Sequence, residues 1–425
     1  MEFFHHEATG ACCSHDASHA ESITPTTINV APTGSLSSHQ EQAARDAAEK
    51  QRSRVAAAAN VPPTVCANRP RSDTGYDWVT YGGPLMEEWL SHVSIVDARW
   101  FVDLAEAGGI LPRSQEVPAE ALITPESAWR LSFCYKPRHT VLPVLVVSYP
   151  WLDAHHPDRL GEQTRQIARV LRAFLEEYSV GASREHMHGE VPTIGVMMDY
   201  ISLPQHPRTA AEETAFKRGL ATMNSWYMHP FTPVLLVTTA LPTGAAYQNT
   251  QPWARRGWCF FEKHASTIIK NRWCAWDLTK FDDACIDLKS MVNRIGRHGN
   301  RTPPLAPDEF GAMMQEGVNS GELKFTHKGD LRTVSELYRL GFVHAFDTWG
   351  RATGGRERYN LSNLGWGSAE AGVLTRALVY MVTHCTFTDG QIGFKLTGNG
   401  FSKEDEAALG AAVAGCVGVA WIKFS

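Results

Sequence analysis

Hydrophobic periodicity divides the chain before any motif is considered. Residues 141–148 (VLPVLVVS) form an apolar, β-branched run, the pattern of a strand buried on both faces of a parallel sheet. Pro143 falls near its start, where a missing N–H is tolerated. Apolar residues then recur at helical spacing through Leu160, Ile167, Val170, Leu171, Phe174, Leu175 and Tyr178. Residues 193–198 (TIGVMM) read as a second strand. Thr209 and Glu212 have the spacing of a capping box, opening a helix with Phe216, Leu220, Met223 and Tyr227 on one face. A third strand is expected at 233–239. A helix from about 255 to 269 presents Trp258, Phe261, Ala265 and Ile268, and a short fourth strand falls at 273–278. Strands alternating with helices predict right-handed crossovers and a doubly wound parallel α/β sheet over residues 140–300.

The flanks read differently. Residues 1–70 are rich in Ala, Ser, Thr, His and Pro, which leaves too little apolar surface to offset chain entropy, so a disordered tail is expected. Residues 84–109 place Leu85, Trp89, Val93, Val96 and Trp100 at helical spacing, giving a helical lead-in over 71–139. A helical connector spans 301–355. Residues 356–425 hold an internal repeat: YNLSNLGW from Tyr359 aligns with FKLTGNGF from Phe394, and the helices 371–378 and 406–413 follow at the same offset. Strand, Gly/Asn turn, helix is the grammar of a leucine-rich repeat, and the segment resembles the ribonuclease-inhibitor type. An unrelated α/β appendage is the other reading.

Composition narrows the class. Of 425 residues, 43% are hydrophobic and 20% charged, and the net charge of −5 is spread without a basic stripe, so nucleic acid is not the expected partner. The nine cysteines are scattered without a CxxC pair, which argues against a disulfide framework or structural zinc and for a reducing, cytoplasmic setting. Residues 1–22 lack a basic segment followed by an apolar one, so no secretory signal is read. The nearest approach to a membrane span, 407–422, is too short and rich in Ala and Gly; no membrane partner is expected. His5, His6, Cys12, Cys13 and His15 show no recognised ligand spacing, and no metal site is expected.

Ligands of open parallel sheets bind outside the carboxyl ends of the strands. The conspicuous polar and aromatic residues fall there: Ser148, Tyr149 and Trp151 after the first strand, Asp199 and Gln205 after the second, and Arg255, Arg256, Trp258 and Glu262 after the loop that follows the third. Here the sequence resembles known families. SYPW is similar to the SYxW segment that opens heterokaryon-incompatibility (HET) domains, and DYISLPQ to their second motif. RGWCFFE resembles their RGWxxQE segment and equally the WCxxE segment of TIR domains. The match covers about residues 140–275. Phe261 stands where HET domains often carry Gln, and SYPWLD departs from the usual TIR sequence.

The resemblance implies a flavodoxin-like sheet and an intracellular effector in a defence or cell-death response. Active TIR domains cleave the nicotinamide–ribose bond of NAD with the Glu of the WCxxE-type segment, which by resemblance is Glu262. One carboxylate suffices for that chemistry, because nicotinamide in NAD is already cationic and leaves neutral, whereas an O-glycosidase must also protonate its leaving oxygen. NAD is then substrate, and no cofactor is implied. Each residue has a second reading. Glu262 shares a helix face with Trp258 and could be a half-exposed surface acid. Trp151 and Trp258 could be packing residues. Asp199 could cap the turn at 203–205. Arg255 and Arg256 could grip a pyrophosphate or simply be a solvated helix start. His155, His156 and Asp158 fit a loop entering a helix. The alternative function is a non-catalytic TIR/HET-like scaffold that self-associates or docks a protein through its C-terminal repeats. A nucleoside ribosyl transferase is a third.

Overall fold

The apolar runs become neighbouring strands of one sheet, and a further strand joins them from the lead-in. In the computed structural model Trp78 and residues 82–424 are described, except 133–141, 182–192, 243–246, 271–273, 286–287, 292–293, 296–300, 328, 350–358, 387–391 and 417. The tail expected at 1–70 lies outside the described residues. The strands are β1 (Val96–Asp97), β2 (Val144–Ser148), β3 (Gly195–Met197), β4 (Val234–Leu236) and β5 (Ala275–Asp277), in the order β1-β3-β2-β4-β5. β2 pairs in parallel with both β3 and β4, and β4 with β5.

The edge strand β1 runs antiparallel, pairing Val96 with Val196. The sheet is therefore mostly rather than wholly parallel, and the lead-in is not one helical stretch. It forms separate helices, Gly83–Trp89 and Ala98–Glu106, with β1 between them. Asp97 sets the break. Its carboxylate accepts from the backbone N–H of Arg99 at 2.8 Å and from the hydroxyl of Thr193 at 2.5 Å, so it caps the second helix while tying β1 to the start of the neighbouring strand.

Alternate residues of each strand feed two cores. Leu145, Val147, Val196 and Leu235 pack with the helices Ala98–Glu106 and Glu162–Gly181, through Phe101, Ile167, Leu171 and Phe174. Val144, Val146, Met197 and Val234 face the opposite way, toward Met223 and Trp226 of Ala210–Met228 and Phe261 of Gly257–Ala265. Every residue of β2 is thereby buried, which is why its sequence does not alternate. The capping box opens Ala210–Met228 as the spacing predicts: Thr209 Oγ1 accepts from Glu212 N–H, and the Glu212 carboxylate from Thr209 N–H at 2.7 Å.

The second core continues outward. Phe310 of Pro307–Asn319 stacks on Tyr338 of Asp330–His344 with ring centroids 3.9 Å apart, and both are fully buried. It then enters the C-terminal segment, where β6 (Tyr359–Asn360), β7 (Ile392–Lys395) and β8 (Val419–Lys423) form a parallel sheet in that order. Residues matched by the internal alignment lie side by side. Tyr359 pairs with Phe394, their rings stacking at 5.2 Å, and Thr397 Oγ1 donates to Ser362 Oγ at 2.9 Å. The third strand, β8, is not anticipated by the two-unit repeat. The described residues all fall within one compact unit, Pro63–Ser425, and one buried cluster takes residues from 78–269, 305–346 and 359–413. Among the described residues no helix is long and apolar enough to cross a membrane.

Candidate functional site

Chain order around β2 fixes where a ligand crevice belongs. From β2 the chain moves to β3 on one side, then crosses to β4 on the other, so the order reverses between β2 and β4. Crevices open at the carboxyl ends of strands at such a reversal. Ser148, the last residue of β2 and wholly buried, stands opposite Leu236 there. Its hydroxyl donates to Glu262 Oε2 at 2.5 Å and accepts from the indole N–H of Trp253 at 3.2 Å.

Glu262 comes from the Gly257–Ala265 helix, and the position of that helix depends on its first residue. A Cβ on Gly257 would sit 2.1 Å from the ring of Phe325, so the close approach admits only glycine. Burial pushes Glu262 up to about 8 against the Ser148 hydrogen bond; the charge of Asp199 raises it further, and the Tyr227 hydroxyl opposes. The Glu262 residue as a whole is nonetheless partly exposed. Among the described residues no lysine or arginine is paired with it.

Asp199 forms the other half of the network. It accepts from the Tyr149 hydroxyl at 2.6 Å, from the Trp151 indole at 3.0 Å and from the backbone N–H of Tyr200 at 2.7 Å. Burial raises its pKa in spite of these donors. Trp151 also meets Tyr200 edge to face at 5.6 Å. Two carboxyls, both pushed upward, thus sit side by side among neutral donors. Carboxyls raised by burial in this way cluster at functional sites.

The remaining residues named from the sequence are spent elsewhere. Arg256 is buried, and its guanidinium donates to three backbone carbonyls: Gln251 at 2.7 Å, Asn249 at 3.1 Å and Trp151. It clamps two loops together, and a pyrophosphate would have to displace those carbonyls. Arg255 is exposed. The Trp258 indole donates to Asp330 at 3.0 Å, joining its helix to Asp330–His344. Gln205 braces the turn after β3, donating to the carbonyls of Leu203 at 2.8 Å and Asp199 at 3.2 Å. His156 bonds the Leu111 carbonyl at 2.9 Å and accepts from the N–H of Asp158, whose carboxylate caps the Glu162–Gly181 helix.

Sequence reasoning missed Trp253 and Tyr227. Trp253 follows a proline in a loop, a position that signals only a turn. Tyr227 shows in the sequence as one more apolar residue on a helix face, although its hydroxyl reaches the Val147 carbonyl at 3.3 Å beside Glu262. Among the described residues no group of three or more His, Cys, Asp or Glu is placed to hold a metal ion. No family model, curated protein or solved structure matches this chain.

Proposed function

We propose that the chain is a TIR/HET-like hydrolase of the nicotinamide–ribose bond of NAD or a related cationic nucleotide, with Glu262 as the catalytic carboxylate. The observation that carries the reading is Glu262 itself: a partly accessible acid at the strand-order reversal, held by Ser148 and without a cationic partner among the described residues. Burying a carboxyl without a cation costs stability, and groups perturbed in this way cluster at functional sites. The strand order β3-β2-β4-β5 also supports a flavodoxin-like sheet, as the resemblance implies.

Without a bound cation Glu262 is mostly neutral at pH 7, since burial holds it near 8. A bound cationic nicotinamide favours the ionised form, and the proton is released to solvent on binding. As the C–N bond breaks, its electron pair leaves with nicotinamide, and the Glu262 anion stabilises the positive charge growing on the ribose. Water adds to that carbon and gives up a proton. Tyr149, Asp199 and Trp151 keep the neighbouring loop in place and set the field at Glu262.

A scaffold function is the second reading. It is favoured by the complete burial of Ser148 and the low exposure of Tyr149, which put both out of reach of a ligand. Incubating the purified full chain with NAD and measuring nicotinamide release separates the two readings. Release that Glu262→Gln removes supports hydrolysis; a folded, self-associating wild type without release supports the scaffold.

A further inference from the structure

A second feature lies against Trp253 and Leu236. A cavity of about 580 Å³ opens over the carboxyl ends of β4 and β5, walled by Leu236 and Trp253 and bordered by Lys263, Asp277, Thr267 and Arg301. That volume is in the range of small-molecule sites. Arg301 is only 8% exposed, yet among the described residues its Nε and Nη1 have no hydrogen-bond partner. Its third nitrogen, Nη2, donates to the Thr267 carbonyl at 3.2 Å, just past the end of the Gly257–Ala265 helix. Capping that helix end therefore accounts for one contact of the guanidinium and leaves the rest unexplained.

The charges around the cavity decide which ligand it suits. Asp277 is the one carboxylate on the lining among the described residues, and its Oδ1 is engaged by the hydroxyls of Thr238 and Thr279 and by the Thr279 N–H at 3.1 Å. It forms no ion pair with Lys263 among the described residues. The Asp277 charge favours the protonated form of Lys263, so among the described lining residues one carboxylate is set against two cations, Lys263 and Arg301. A buried guanidinium with unpartnered donors is costly, and an anion satisfies it directly.

We infer that this cavity binds the phosphate of a nucleotide-sized metabolite, with Arg301 as the buried anchor, Lys263 as the second cation and Trp253 as the apolar wall for the organic part. The inference does not depend on chemistry at Glu262. Its occupancy can be read with ligands that contain no cationic leaving group.

Calorimetric titration of the full chain with inorganic pyrophosphate and, separately, with ADP tests it. Both should bind saturably, more weakly as salt is added, with ADP the tighter if the apolar wall takes the nucleoside. Lys263→Gln and Arg301→Gln should each weaken both ligands by roughly tenfold to a hundredfold, the usual value of a charged hydrogen bond. Should Arg301→Gln fail to fold, Lys263→Gln alone decides, because its side chain is half-buried at the rim. Pyrophosphate bound as tightly as ADP identifies free phosphate as the recognised group. No heat with either ligand at millimolar concentration overturns the assignment, as does affinity unchanged in both folded variants.

Discussion

Ser148 and Glu262, 114 residues apart in the chain, meet at 2.5 Å where the strand order reverses, the serine hydroxyl donating to Oε2 of the acid. Hydrogen bonding to the ionised carboxyl favours it, while burial and the Asp199 charge disfavour it. The balance leaves a group that changes charge close to neutral pH, and this bears on activity and stability in different ways.

For activity, the ionised form is the one that stabilises ribosyl charge. Nicotinamide release by the free enzyme, measured as kcat/KM, should therefore rise with pH and level above about 8. The kcat profile should level at lower pH, because bound cationic substrate favours ionisation. Ser148→Ala removes a donor to the anion and should move the kcat/KM midpoint upward. Glu262→Gln should lower kcat by about two to three decades. A rate that falls with pH through this range would make Glu262 a proton donor instead, and an unchanged rate in the Gln variant would remove it from the mechanism.

For stability, the folded state favours the neutral acid. Glu262 titrates near 4.5 when unfolded and near 8 when folded, so its contribution is fully present below 4.5 and is lost as pH rises through 8. Glu262→Gln has no such loss. Its stability relative to wild type should climb between about pH 4.5 and 8 and stay level above that. Urea unfolding of both proteins at pH 5, 7 and 9 reads the difference; a gap that does not change with pH means the carboxyl is better solvated than its surroundings indicate.

Gly257 gives a test of how the helix carrying Glu262 is held. A methyl group there would run into the Phe325 ring, with the nearest atoms 2.1 to 2.5 Å away. Gly257→Ala should destabilise by about 1–3 kcal/mol, the cost of overpacking, and displace the start of the helix. Pairing it with Phe325→Ala, which makes room for the methyl group, should recover part of the loss. Thermal melting of the two single variants and the double variant checks this, and strict additivity would rule out the contact.

How far these features could be read from sequence depends on how local their causes are. β2 was legible because burial on both faces leaves a continuous apolar run, and the Thr209–Glu212 cap because its two partners are three residues apart. Ser148 and Glu262 could be placed on the same edge of the sheet, since topology alone brings strand ends together. β1 could not be read. Trp89, Val93, Val96 and Trp100 imitate one helix, and what breaks it is Asp97 reaching Thr193, 96 residues away. The same holds for Trp258, whose spacing from Glu262 suggests a shared face, although its indole is drawn off by Asp330. Arg301 has no sequence signal at all; its importance comes from donors left over inside a cavity.

The C-terminal segment should not fold on its own, because its apolar face is completed by helices that precede it. Tyr380 meets Phe342 edge to face at 5.6 Å, Tyr359 packs against Phe346 at 5.4 Å, and the Trp366 indole donates to the Arg301 carbonyl at 2.9 Å. Leu374, Ala377 and Met381 are buried in the same cluster as Tyr338 and Phe342. A fragment of residues 356–425 would expose all of these, and stacked strand–helix units need a covered face to be stable. Such a fragment should show no cooperative melt and should bind a hydrophobic dye. In the full chain, Phe342→Ala should cost about 3–5 kcal/mol, since the ring is fully buried between both parts. It should also lower the melting temperature as a single transition, because sheet, connector and repeat share one core. Two separate transitions in that variant, or a cooperative melt of the isolated fragment, would show that the C-terminal strands carry a core of their own and that their contact with the 330–344 helix is only a docking surface.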